Sequence, residues 1–230
     1  MPNELLQSLH LQVDPNSVIS LLVSLLVGVG LSAACGFRVF IPPLMMSVGA
    51  HFFGWPLPEN FGWLATDIAL VALLSAALIE AAAYYLPWVD HLLDTLAAPA
   101  AMIAGTAITG SFLTGQVDPG LQWAIALIAG GGAAGAVQSL TTTTRLASLA
   151  ATAGLANPVV TTAENILAIG TSTLAIAFPW VAVALGVIAL IVSVWVGWHL
   201  VRLVQKGRRW LNGDGMPPRV TQSSARQNQD

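Results

Sequence analysis

The stretch 28–43, Gly-Val-Gly-Leu-Ser-Ala-Ala-Cys-Gly-Phe-Arg-Val-Phe-Ile-Pro-Pro, constrains this chain more than any other. An apolar run at 18–35 leads straight into Gly36, Arg38 and the pair Pro42-Pro43, with further apolar sequence beyond. An arginine at the centre of a bilayer costs about 2.5–3.5 kcal/mol on insertion scales, so it is paired, snorkelling or lining a watery cavity. Prolines inside a helix leave carbonyls without donors, and lipid supplies none. The stretch is read as a broken or re-entrant element facing a protein-lined cavity.

A membrane setting follows from how little else is charged. Charged residues make up 8% of the chain and hydrophobic ones 56%, whereas a soluble domain carries about 25% charged residues. A net charge of -3 is too small to imply a polyionic partner, and no basic–aromatic pattern points to nucleic acid. Cys35 is the single cysteine, which excludes an intrachain disulfide and a cysteine zinc site and leaves it as a small apolar packing residue. Residues 1–16 hold no Lys or Arg, so the run that follows is a first membrane helix and not a cleaved signal.

Taken in order, 1–16 reads as an interfacial segment, and 17–204 as the transmembrane domain. The first span covers 17–35, long enough for about 30 Å of hydrocarbon. A short, proline-bearing piece follows at 37–53, then a Gly/Pro loop at 54–62 and a span at 63–85. Pro87 opens an interfacial helix, and 97–113 is apolar again. Thr-Gly-Gln-Val-Asp-Pro-Gly at 114–120 is the clearest turn. Beyond it come an apolar run at 121–137, a polar interruption from Gln138 to Arg145, an apolar piece to Leu155, and Asn157-Pro158, where Asn reads as N-cap and Pro as the first helical residue. The last span covers 178–203, and 205–230 is a polar tail read as disordered.

The halves resemble one another. Ala33 to Arg38 aligns with Ala133 to Gln138, and Leu86-Pro-Trp-Val with Phe178-Pro-Trp-Val. The expected architecture is all-α: a polytopic transmembrane bundle of six full spans plus two short broken or re-entrant helices, 37–53 and 139–155. It is built as two pseudo-symmetric repeats at about 17–114 and 121–204, inverted if the short helices dip and return; if they cross fully, there are eight spans and the halves are parallel. Matched interruptions in two halves point to a transporter's binding site. Arg202, Lys206, Arg208 and Arg209 after the last span place both termini in the cytoplasm.

Three motifs carry a family resemblance: Gly36-Phe-Arg-Val-Phe-Ile-Pro-Pro43, Leu86-Pro-Trp-Val-Asp-His-Leu-Leu-Asp94, and Asn157-Pro158 followed by Glu164. Together they resemble a bacterial integral-membrane family catalogued only as a domain of unknown function, over roughly 17–201. The resemblance implies a bacterial inner-membrane protein and no established activity. Where that family usually has Asp-Lys before the first Pro-x-x-Asp, this chain has Tyr84-Tyr85; where it has Glu-Asp, this chain has Glu164-Asn165.

The candidate substrate-binding residues are Arg38, Glu80, Gln138, Thr142, Arg145 and Glu164. The fork of Arg38 suits a carboxylate or phosphate, or else it is a buried partner of Glu80, Asp90 or Asp94. Glu80 lies deep in the second span, as a proton or cation contact or as a register-fixing bond. Asp90 and Asp94 share a helix face and favour the positive end of the helix begun at Pro87, a structural role placed above metal binding. Asn157 is read as a structural cap. The hydroxyls around Thr142 line a water path or bond to their own helix. Arg145 and Glu164 form a plausible pair. Gly130-Gly131-Gly132 lacks the context of a phosphate loop and fits close helix packing.

No nucleophile–base arrangement, cofactor motif or haem motif is present, so the expectation is a non-enzyme without cofactor. The leading reading is a transporter or channel for a small, anionic solute, with a polar cavity between the repeats. The alternatives are a lipid-phosphate translocase and, in another class, a non-catalytic scaffold or accessory subunit. The partners implied are the lipid bilayer and a small-molecule or ion substrate, with self-association into a homo-oligomer compatible with the sequence.

Overall fold

A computed structural model describes residues 15–85, 87–152, 155–181 and 184. The described residues form helices and turns, all within the unit Met1–Leu190. We number the helices α1 (Pro15–Cys35), α2 (Ile41–Phe53), α3 (Asp67–Ala83), α4 (Pro87–Phe112), α5 (Pro119–Ile125), α6 (Gly132–Thr152) and α7 (Asn157–Ala177). A 3-10 segment, Glu59–Ala65, precedes α3 at a bend of 81°. Three helical stretches are long and apolar enough to cross a membrane: Asn16–Cys35, Pro119–Ala150 and Asn157–Ala177. The bent pair ending in α3 makes a fourth if it counts as one span.

Helix α1 is the axis of the bundle, packing on α4, α6 and α7, while α2 packs on α3 and α7. Small residues bring these backbones together. A Cβ placed on Gly105 of α4 would stand 2.8 Å from the Gly130 carbonyl oxygen and 3.1 Å from Ser32 Cβ. The Ser32 hydroxyl donates to the Gly105 carbonyl at 2.6 Å and meets Thr109 Oγ1 at 2.8 Å. This is how membrane helices adhere without a hydrophobic drive between them, and Gly130 and Gly131 serve that contact. Outward faces stay apolar, with Ile68 and Ile79 on α3 and Ile128 beside α5 all exposed. A soluble bundle would bury such residues; lipid is the solvent they fit.

The first interruption is a corner. The chain leaves α1 through a turn in which Gly36, Phe37 and Arg38 amides donate to the Ala33 and Ala34 carbonyls. Pro42 and Pro43 then stand in the first turn of α2, where a missing N–H deprives nothing. The prolines therefore begin a helix and do not break one. At 13 residues α2 is about 20 Å long, short of the hydrocarbon thickness.

The second interruption differs from expectation. No break occurs at Gln138. The chain runs helically from Pro119 through a π-turn at Ala126–Gly131 and on to Thr152, so the expected short helix at 139–155 is the far end of one long helix. Its hydroxyls explain the continuity: Ser139, Thr143 and Thr144 each donate to the carbonyl four residues back, satisfying themselves on their own helix. Asn157 also moves by one position. It is the first residue of α7, and the N-cap is Ala156, which has no side chain to cap with. Of the expected interfacial segment 1–16, residues 15 and 16 belong to α1; residues 1–14, the tail 205–230 and most of the last span lie outside the described residues.

Candidate functional site

Arg38 and Arg145 are the only Lys or Arg residues before Arg202, and the fold brings them to the same carboxylate. Arg38 sits in the α1–α2 corner, Arg145 on α6 and Glu164 on α7; each is at most 4% exposed. Arg145 grips Glu164 with a fork, Nε donating to Oε1 at 3.1 Å and Nη2 to Oε2. Arg38 Nη2 reaches the same Oε2 at 3.1 Å. Arg38 Nε donates to Asn165 Oδ1 at 2.7 Å, and Nη2 to the Thr161 carbonyl at 3.5 Å. One turn of α7 thus supplies the whole hydrogen-bonded surface facing Arg38.

Both guanidinium carbons lie 4.0 Å from the centroid of the Tyr84 ring. A dehydrated cation over an aromatic face is worth about 2 kcal/mol, so one ring offsets part of the burial cost of two charges. Tyr84 and Asn165 both touch Arg38.

Glu80, on α3, is turned to a different task. Its Oε1 accepts the Val39 N–H at 2.9 Å and its Oε2 accepts the Phe40 N–H at 3.1 Å. The carboxylate therefore caps α2 from a neighbouring helix, at the positive end of the helix dipole. Among the described side chains, Glu80 beside the cluster brings the count to two positive and two negative charges.

Among the described residues, Arg38 Nη1, Thr161 Oγ1 and Ser148 Oγ are buried without a hydrogen bond, and the first two belong to residues of this cluster. Unpaired buried donors are rare and cost about 1–3 kcal/mol, more for a charged group. On the lipid side, Glu164 borders a groove of about 250 Å3 whose other walls include Phe37, Leu140, Thr141, Val160 and Leu167.

Of the expected site residues, Arg38, Arg145 and Glu164 converge directly and Glu80 stands beside them. Gln138 is buried but points along its own helix, Nε2 donating to Thr142 Oγ1 at 3.4 Å. Neither is seen to touch the arginines. The side chains of Asp90 and Asp94 lie outside the described residues; the partner found for Arg38 is Glu164. Sequence reasoning missed Tyr84, Asn165 and Thr161 as members of the site. Asn165 directly follows Glu164 and Thr161 lies one turn before it, so the α7 members were within reach of the charge in sequence, whereas Tyr84 was not.

Long apolar helices, outward faces suited to lipid and matched charges at depth define an α-helical membrane protein. Residues 25–199 match the family described as a domain of unknown function, DUF4126, and the chain belongs to that family. No curated protein and no solved structure matches the chain.

Proposed function

We propose that this chain is a multi-pass inner-membrane transporter or channel for a small anionic solute, whose path runs past Arg38 and Arg145. The observation that carries the reading is the convergence of both guanidiniums on one carboxylate, leaving Arg38 Nη1 and Thr161 Oγ1 unsatisfied. A purely structural arginine has its donors filled, because each empty one costs stability. Here donors are held in reserve where the chain turns a corner inside the membrane.

The six-span arrangement follows if α2 dips and returns. The spans are then α1, α3, α4, the long helix from Pro119, α7 and the apolar stretch 178–203. That makes three per half, an odd number, so the halves are inverted and both termini share the cytoplasmic side. Contact between the segments that align in sequence favours this pseudo-symmetry. A Cβ on Gly36 would stand 2.6 Å from Val137 Cβ.

The test is uptake of radiolabelled pyruvate, chloride and nitrate into proteoliposomes holding the wild type, Arg38→Gln or Arg145→Gln. Uptake of at least one solute above protein-free vesicles, lost tenfold or more in both variants, is the expected result. A second reading, a non-catalytic scaffold, is favoured by the balanced charges and the near-complete burial of both arginines. It predicts no uptake of any probe by a well-folded wild type. A lipid-phosphate translocase would instead scramble labelled phospholipid through the groove beside Glu164.

A further inference from the structure

We infer that the seat formed by Arg38 and Arg145 is a binding site for a free small monocarboxylate, and that Glu164 is its tethered resident. This rests on the transport reading and names its substrate class. The seat is shaped for two coplanar oxygens: Arg145 Nε and Nη2 address separate oxygens of one carboxylate, and Arg38 Nη2 adds a third donor to one of them. That is the bidentate geometry by which a guanidinium recognises a carboxylate, and a spherical halide uses it poorly. Tyr84 faces both guanidiniums and α7 supplies the remaining contacts, so little room is left for a bulky acid.

The reserve donors fit a free ligand better than the tethered one. Arg38 Nη1 and Thr161 Oγ1 are buried and empty while Glu164, fixed to α7, reaches only Nη2 of Arg38. A carboxylate without a tether is free to move toward Arg38 and use them. Glu164 also has somewhere to go, since it borders the groove of about 250 Å3 on its lipid side. That groove is walled by apolar side chains apart from threonine hydroxyls, so it takes the glutamic acid in its neutral form. One proton on Glu164 for each anion seated leaves the charge of the cluster unchanged. Among the described side chains, the ionisable groups around that exchange are Arg38 from the corner, Glu80 and Tyr84 at α3, and Arg145 from α6.

The experiment is acetate rescue of Glu164→Ala. Truncation at Cβ removes a CH2–COO⁻ unit, of which acetate is the free equivalent. The variant is purified in sodium acetate, exchanged into equimolar sodium chloride, and melted in detergent in both. The expected result is a saturable rise of roughly 5 °C or more in acetate over chloride, restoring most of the midpoint lost by the substitution. In alkaline buffer wild type, whose seat the ionised Glu164 fills, should respond far less than Glu164→Ala, whereas Glu164→Gln, neutral as the displaced glutamic acid is, should respond to acetate too. An equal response in wild type makes the effect a general salt effect and overturns the inference, and so does the absence of any response in Glu164→Gln. So does loss of the folded variant in acetate and chloride alike, because a seat that acetate fills would replace what was removed. Rescue without uptake of any solute by the wild type leaves the seat standing and defeats transport. Uptake without rescue leaves transport standing and defeats the seat.

Discussion

Glu80 holds the start of α2, and removing its charge tests whether the corner depends on it. In Glu80→Gln one oxygen remains to accept one amide, while the new NH2 faces the second amide as a donor against a donor. A hydrogen bond to a charged group is worth about 1.5–3 kcal/mol, so losing one of the two leads to a loss of about 2–3 kcal/mol. Glu80→Ala loses both, for about 3–5 kcal/mol, with the helix-dipole interaction included. For a fold of this size each kcal/mol moves the midpoint by about 2–4 °C, so Glu80→Gln should melt roughly 4–12 °C lower. The molecule carries its own reporter: Cys35, the single cysteine, is buried where α1 ends and this corner begins. A thiol-reactive maleimide that fluoresces on coupling reads its exposure during a melt in detergent. Glu59→Gln, in the exposed 3-10 segment, is the control and should melt as wild type. A Glu80→Gln midpoint equal to wild type would refute the capping argument. So would a fall of the same size in the control.

Two other substitutions separate packing from charge. Tyr84→Leu removes the aromatic face from both guanidiniums and should cost about 2–4 kcal/mol in the same melt, clearly more than Tyr84→Phe, which keeps the ring. Gly36→Ala puts a Cβ 2.5 Å from the Ala134 carbonyl oxygen, and should cost about 1–3 kcal/mol; Gly62→Ala, with nothing within 4 Å, should be nearly neutral.

What the sequence made legible was mostly local. The first helix, the opening of a helix at Pro87 and the turn after Thr114 follow from apolar length, proline and glycine placement, and they stand where expected. The Arg145–Glu164 pair was legible because the two residues sit on helices that adjoin in sequence. Arg38's partner was not, since Glu164 and Asn165 lie more than a hundred residues downstream and nothing local singles them out from Asp90 or Asp94. The glycine run and the polar residues after Val137 resemble a break, but hydroxyls that bond to their own helix cost the backbone nothing. A π-turn absorbs the glycines without ending the helix. Tyr84 lies near the end of the expected span 63–85, and only the fold shows its face set against both guanidiniums.

The concentration of both early arginines in one buried cluster also bears on how the chain enters the bilayer. Loop cations set the orientation of spans as they are made, yet before Arg202 every Lys or Arg is already committed to the interior. Apart from the buried Arg38 of the α1–α2 corner, the connecting turns up to that point hold no Lys or Arg. Within this sequence the next basic residues after that buried pair are those at 202–209. Holding both early cations inside the bundle leaves the turns between its helices without a positive surface charge that could pin them to one face of the bilayer.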